Sequence, residues 1–323
     1  MINKNDIKSG LYGFVIGDAM GVPIEFTNRN NNKHKMLKEM IGYGSHHVPE
    51  GTWSDDSSMT LATMDSIQEK CGIDYDDVMK KFLDWYISAS YTATDVVFDI
   101  GIATSKALRN YSSSSIPATS CGGNSFYDNG NGSLMRMLPV SLYLETLNLT
   151  DEERISVICN MSSLTHGHEI SKLGCTIYDR FIHELLSTKD KQKAYDNCCA
   201  FDYSKYFTEK SIKEYERILS GKINKLNVND ISSSGYVINT LEASLWSILT
   251  TSSYEASIIR AINLGNDTDT VGAITGSMSG LLYGYENIPK RWLEKLRKKE
   301  FLDDMIDKFN YNIVESNHIS KSL

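Results

Sequence analysis

The chain has 323 residues, with 33 Lys and Arg against 41 Asp and Glu and a net charge of −8. A composition that is 41% apolar and 23% charged, with a mean hydropathy of −0.30, belongs to a globular protein and excludes a disordered or fibrous one. The acidic balance excludes non-specific binding to nucleic acid or to an anionic membrane as the main role, and it suits a protein that holds cations.

In chain order, residues 1–8 are polar and mixed in charge, so no signal peptide is expected. Apolar residues then recur at three- and four-residue spacing, which predicts helices. Leu11, Phe14, Val15 and Ala19 form the first stripe; Met59, Ala62, Ser66 and Ile67 the second; Val78, Phe82, Trp85 and Tyr86 the third. The Ser-rich residues 111–115 read as a loop. Residues 119–132 carry Gly122, Gly123, Asn124, Asn129, Gly130, Asn131 and Gly132, a density of Gly and Asn that predicts a long loop rather than a helix. Residues 187–234 are polar and read as a solvated insertion with short helices. Two more stripes follow, Leu241, Leu245, Ile248 and Leu249, then Ile274, Met278, Leu281 and Leu282. Alternating strand patterns are scarce, and no run reaches the roughly 18 apolar residues of a membrane helix. The expectation is a mainly α protein of one domain over residues 1–310, with a frayed tail at 311–323. The six cysteines, Cys71, Cys121, Cys159, Cys175, Cys198 and Cys199, contain no CxxC pair and read as reduced thiols of a cytoplasmic protein.

Two segments concentrate carboxylates at the head of a helical stripe. In Ser54-Asp55-Asp56-Ser57, a hydroxyl and two acids suit a helix N-cap and first turn. In Asn266-Asp267-Thr268-Asp269-Thr270 the pattern repeats. Capping accounts for either segment alone, but one helix needs one cap. If the two helix starts face each other, their carboxylates repel by about 4 kcal/mol per pair at roughly 4 Å. Divalent cations would reverse that sign, and hard oxygen donors select Mg²⁺, Mn²⁺ or Ca²⁺ rather than Zn²⁺. An EF-hand beginning at Asp267 would require Glu at its twelfth position, where Met278 stands, and is rejected. The DxDxT pattern also matches aspartate-nucleophile phosphatases. That motif ends the first strand of a sheet, and too little chain follows Asp269 to build one.

Several ordered blocks then carry a resemblance. They are Gly10-Leu11-Tyr12-Gly13-Phe14-Val15-Ile16-Gly17-Asp18-Ala19-Met20-Gly21-Val22-Pro23-Ile24-Glu25-Phe26; Trp53-Ser54-Asp55-Asp56-Ser57; Phe98-Asp99-Ile100-Gly101; Asn131-Gly132-Ser133-Leu134-Met135-Arg136; Thr165-His166; Gly235-Tyr236-Val237 with Leu241-Glu242-Ala243; and Gly265-Asn266-Asp267-Thr268-Asp269-Thr270. In this order they resemble the ADP-ribosylglycohydrolase family, which includes the dinitrogenase reductase-activating glycohydrolase, over nearly the whole chain.

The resemblance implies a single-domain orthogonal all-α bundle with a central cleft holding two Mg²⁺ or Mn²⁺ ions. The implied metal ligands are Ser54, Asp55, Asp56, Asp267, Asp269 and Thr270. Ser stands at positions 54 and 57, where the family usually has Thr; it keeps the oxygen and loses the methyl that restrains the rotamer. The implied reaction is hydrolysis of the N-glycosidic bond between ADP-ribose and a protein side chain, usually arginine. Glu25, Asp99 and Asp56 are the catalytic candidates, with Glu25 either coordinating a metal or acting as base and Asp99 facing the guanidinium end. Asn131, Gly132, Ser133, Met135, His166, Gly235 and Tyr236 are implied to bind the substrate, the 131–136 loop cradling its diphosphate. Tyr236, Phe126 or Tyr127 could stack on the adenine. Asp18 reads as a structural hydrogen-bonding residue, and Arg136 as either a structural partner or a phosphate contact. The partner is an ADP-ribosylated protein or a small ADP-ribosyl conjugate, met by a monomer. Alternatives are a non-catalytic ADP-ribose-binding or structural relative and, from the DxDxT pattern, a phosphatase.

Overall fold

Hydrophobic periodicity alone would permit many helix pairings, and small residues decide which one forms the centre. The computed structural model describes residues 2–29 and 36–315. Its helices are α1 (Lys4–Gly21), α2 (Asp55–Lys70), α3 (Tyr75–Ser88), α4 (Ile102–Ser113), α5 (Leu138–Leu144), α6 (Asp151–Ser163), α7 (Glu169–Thr188), α8 (Lys191–Ala200), α9 (Glu209–Glu214), α10 (Glu216–Leu219), α11 (Val237–Leu249), α12 (Tyr254–Ile262), α13 (Thr268–Tyr283), α14 (Lys290–Leu293) and α15 (Lys299–Asn310). Among the described residues there is no β-strand, only two isolated bridges, Gly123 with His166 and Gly130 with Tyr236. That overturns the phosphatase alternative, whose motif needs a strand. No described helix is long and apolar enough to cross a membrane.

Helices α1 and α13 run antiparallel, backbone against backbone. A Cβ placed on Gly17 would lie 2.1 Å from the Gly272 carbonyl oxygen, and one on Gly276 would lie 2.0 Å from that of Gly13. Glycines at four-residue spacing on both helices remove the side chains that would otherwise separate them. This close crossing brings the C-terminal end of α1, with Asp18, against the N-terminal end of α13, with Asp269. The other helices wrap this pair, burying Trp53, Trp85 and Trp292. Arg154 of α6 bonds Asp179 of α7 at 2.6 and 2.8 Å and pairs with Glu145 after α5 at 2.7 Å, tying three helices through one half-buried guanidinium.

Two expectations are corrected and a third is refined. Residues 111–113 belong to α4 rather than to a loop, with the Ser112 and Ser113 hydroxyls bonded to the Arg109 carbonyl one turn back. Residues 119–132 form the expected long loop but include single 3₁₀ turns at Ala118–Ser120 and Phe126–Asp128. The 187–234 region does consist of short helices, yet it is not merely solvated. Tyr195, Cys198, Tyr203, Tyr215, Ile218 and Ile223 are all buried, forming an inner apolar layer against the bundle. At the C-terminal end, Tyr311–Glu315 continues as a wide helical turn with Ile313 buried; the rest of the expected tail, 316–323, lies outside the described residues. All six cysteines are free thiols.

Candidate active site

The two acidic segments are helix starts, and they meet. Ser54 is the N-cap of α2, its Oγ accepting the Asp56 N–H at 3.2 Å, so the capping reading holds for that residue. Asp267 occupies the equivalent place on α13 but makes no side-chain cap bond; its carboxylate instead accepts the Asn131 amide. Thr270 Oγ1 donates to Asp56 Oδ1 at 3.3 Å, joining residues 214 apart in sequence. Behind them stands Asp18, which accepts the Ser54 N–H at 2.9 and 3.1 Å, the Ser57 N–H at 3.0 Å and the Ser57 hydroxyl at 2.5 Å. Asp18 thereby fixes the first turn of α2, the hydrogen-bonding role expected of it.

These groups floor a cavity of about 310 Å³. Of the residues singled out from sequence, Glu25, Asp55, Asp56, Asp99, Asn131, Gly132, Met135, His166, Gly235, Asp267 and Thr270 line it. Ser54 and Asp269 are buried just behind the floor. Two substrate-binding candidates are not on the wall. Ser133 points inward, its Oγ 3.4 Å from Cys175 Sγ and 3.0 Å from Ser162 Oγ. Tyr236 packs against the apolar core, and it is its backbone that pairs with Gly130. Asn131 lines the cavity, but its side-chain amide donates to Asp267 Oδ2 and Thr240 Oγ1, both at 2.9 Å, so it orients the acid. Gly235 permits this arrangement, since a Cβ there would lie 2.8 Å from the same Asp267 oxygen. Of the aromatic candidates, Tyr127 lines the cavity and is 93% exposed. Phe126 packs edge-on against Tyr127 and His168.

Burial is the largest influence on every carboxyl here. It pushes Asp55, Asp56 and Asp269 well above the usual carboxylate range, with neighbouring negative charges adding to the shift. Asp267 and Asp99 are raised by the same cause, and Asp18 is pushed up to about 6. Glu25 is raised by burial and then by the charges of Asp269, Asp99 and Asp267. Three buried oxygens, Asp56 Oδ2, Asp267 Oδ1 and Asp269 Oδ1, have no hydrogen-bond donor among the described residues. Desolvated oxygens without donors cost free energy unless a cation or proton meets them. The donor sets fit a cation: Asp18, Asp56 and Asp269 offer oxygens within 4.8 Å of one another, and so do Glu25, Asp267 and Asp269. Asp269 is common to both.

Facing this floor is a neutral imidazole. Arg136 is fully buried; its Nη2 donates to Thr165 Oγ1 at 2.8 Å, and the Thr165 hydroxyl lies 2.8 Å from His166 Nδ1. The Thr165 hydroxyl thereby links the arginine to the imidazole and fixes the orientation of the ring. Burial and then the Arg136 charge hold the His166 pKa down at about 3. Arg136 is thus a structural partner, and it does not line the cavity.

His46 escaped the sequence reading. Its Nε2 lies 2.5 Å from Glu25 Oε2, and with Glu25 and Asp99 it makes a third cluster of potential ligand atoms. It sits in a polar stretch without periodicity, where nothing in the spacing marks it. Ile102, Ala103 and Thr104 of the cavity wall were equally unmarked.

An all-helical bundle with a cavity floored by desolvated carboxylates from two helix starts has donor sets that could hold cations. Comparison gives the lineage. The family model described as ADP-ribosylglycohydrolase matches residues 2–318. The chain is 31% identical over 305 residues to the ADP-ribosylarginine hydrolase Tri1 of Serratia proteamaculans, covering 94% of this chain and 78% of that one. It is 26% identical over 289 residues to the ADP-ribosyl-[dinitrogen reductase] glycohydrolase of Rhodospirillum rubrum, covering 89% and 88%. A solved structure titled ADP-ribosylglycohydrolase-related protein complex superposes with a TM-score of 0.80 at 26% identity, covering 96% of this chain and 99% of that one. The chain belongs to the ADP-ribosylglycohydrolase family and is an enzyme of that class.

Proposed function

We propose that this protein removes ADP-ribose from modified arginine side chains by hydrolysing the N-glycosidic bond, using two divalent cations, Mg²⁺ or Mn²⁺. The observation that carries the cation dependence is the meeting of Asp56 with Thr270 beside three buried carboxylate oxygens that lack donors. The arginine linkage is supported by the names of the Serratia relative and of a second relative, from Pseudomonas putida, 30% identical over 294 residues. The residues that would hold the cations are Asp55, Asp56, Asp267 and Asp269, with the hydroxyl oxygens of Ser54 and Thr270 and, beside Asp267 and Asp269, the Glu25 carboxylate. When bound, the cations supply charge neutralisation and Lewis acidity toward water and the ribose hydroxyls.

The chain's own residues do the rest. Cleavage at the anomeric carbon passes through an oxocarbenium-like state, and carboxylates around the ring favour its positive charge. Water adds to that carbon as the carbon–nitrogen bond breaks. A proton leaves the water for a carboxylate, with Glu25, Asp99 and Asp56 as the available acceptors, and the departing guanidine, a strong base, takes up one proton. Asp99 faces the cationic leaving end. The His166 imidazole and the backbone of Gly130 and Gly132 form the part of the cavity wall that would meet the nucleotide. Gly132 leaves room for this, since a Cβ there would meet His166 Cε1 at 2.8 Å.

The test is incubation with ADP-ribosyl-arginine and Mg²⁺ or Mn²⁺. Release of free ADP-ribose that stops on addition of EDTA is expected. Binding of ADP-ribose with no turnover at any metal concentration would overturn the reading in favour of a non-catalytic relative.

A further inference from the structure

A carboxylate that serves a metal site works best when its orientation is fixed before the cation arrives. Glu25 stands at a junction. Its oxygens lie near those of Asp267 and Asp269 on one side and near His46 and Asp99 on the other. Its own backbone gives it little support, because it follows a single 3₁₀ turn and precedes Phe26, whose φ of 58° is left-handed.

Two other segments hold it. Phe26 N–H donates to the Asn266 carbonyl at 2.6 Å, and Asn266 N–H to that of Thr27 at 2.9 Å, stitching the Glu25 loop to the head of α13. The second segment is Gly44-Ser45-His46, which lies directly on Pro23–Glu25. Ser45 N–H donates to the Pro23 carbonyl at 3.0 Å and Ser45 Oγ to the Glu25 carbonyl at 2.5 Å. Only glycine fits at position 44, where a Cβ would lie 1.7 Å from the Pro23 oxygen. The turn is closed on itself by Tyr43 N–H to Val48 O at 2.7 Å and His47 N–H to Gly44 O at 3.1 Å. From this strap His46 reaches the Glu25 carboxylate, its ring packed 5.9 Å from Phe26 and 5.1 Å from Phe98 between centroids.

We propose that His46 is a positioning residue: its Nε2–H holds the Glu25 carboxylate in the orientation that receives a divalent cation, and the Gly44–His46 strap exists to place it. This rests on the cation-dependent reading above. A donor at Oε2 fixes the plane of the carboxylate, so its second oxygen needs no reorientation when a cation binds. Outer-sphere hydrogen bonds of this kind set metal affinity over one to two orders of magnitude.

The experiment titrates Mn²⁺ into metal-stripped protein, following free Mn²⁺ by electron paramagnetic resonance, and then measures the Mn²⁺ dependence of ADP-ribosyl-arginine hydrolysis. His46→Phe keeps the aromatic packing and removes the donor; His46→Gln keeps a donor at the Nε2 position. His46→Phe is expected to weaken Mn²⁺ binding roughly 10- to 100-fold, and His46→Gln by no more than about 3-fold. At saturating Mn²⁺ the kcat of His46→Phe should return toward that of wild type. Wild-type Mn²⁺ affinity in His46→Phe overturns the proposal, as does equal weakening in both variants, which would assign the effect to packing. Should His46→Phe lack the wild-type circular dichroism spectrum, Ser45→Ala replaces it, and unchanged Mn²⁺ affinity there overturns the proposal. A wild-type protein that binds Mn²⁺ but releases no ADP-ribose would sink the proposed reaction while leaving the His46 comparison to be decided by the titration.

Discussion

Asp267 shows how one residue can be read two ways until its surroundings are known. From sequence it is a helix cap or a ligand. In the fold it leaves its helix uncapped, takes a hydrogen bond from Asn131 at 2.9 Å, and keeps one buried oxygen without a donor. Asp267→Asn should therefore lower kcat/KM more than about 100-fold at limiting metal while the protein stays folded; full activity under those conditions would contradict the assignment. His166 gives a separate prediction. It is neutral in the fold, with its pKa held at about 3, against about 6.5 in an unfolded chain. Below pH 6.5 the unfolded state binds a proton that the folded state refuses, so stability from this group is complete above 6.5 and declines as the pH falls toward 3. Urea unfolding of wild type and His166→Asn should diverge in slope by up to about 1.4 kcal/mol per pH unit between roughly pH 6 and 4, wild type being the steeper. Parallel curves would mean that the imidazole is not buried neutral.

At the scale of elements, the apolar stripes were legible and the reason for their pairing was not. The stripes found α1, α2, α3, α11 and α13 because a helix of a globular protein must turn an apolar face inward. They did not show that α1 and α13 touch through glycines, because the spacing of small residues on one helix has no meaning until its partner is known. Gly276→Ala tests this contact. The added methyl would lie 2.0 Å from the Gly13 carbonyl oxygen, and overpacking of this sort costs about 1–3 kcal/mol or more. Thermal unfolding followed by circular dichroism should show a Tm lower by several degrees. Mn²⁺ affinity should fall as well, since Asp18 and Asp269 ride on the helices being separated; an unchanged Tm would refute the close crossing. The loops were the least legible elements. The serines that end α4 satisfy their hydroxyls on their own helix, so a polar run there did not mark a loop, and the polar 187–234 region hid an apolar inner face because its buried residues fall on helices too short to show a period.

For the whole molecule, a floor of carboxylates raised by burial and mutual repulsion means that the folded state should be stabilised by the ions it binds. Mn²⁺ or Mg²⁺ at roughly 100 times its dissociation constant should add about 2.7 kcal/mol, seen as a higher Tm that EDTA reverses and that Asp267→Asn largely loses. No response to either metal would contradict the cation site. The sequence by itself determined the helical class, through its periodicity, and the chemical types at the site, through ordered motifs around Asp55, Asp56, Asp99, Asn131, His166, Asp267 and Asp269. Both are local properties, carried by neighbours in the chain. Only the tertiary structure decided which groups meet. Thr270 reaches Asp56 across 214 residues, Asn131 serves Asp267, Ser133 turns away into the core, and an unheralded His46 reaches Glu25. Each of those contacts depends on how closely helices pack and where loops are tied down, and no spacing within a single segment encodes that.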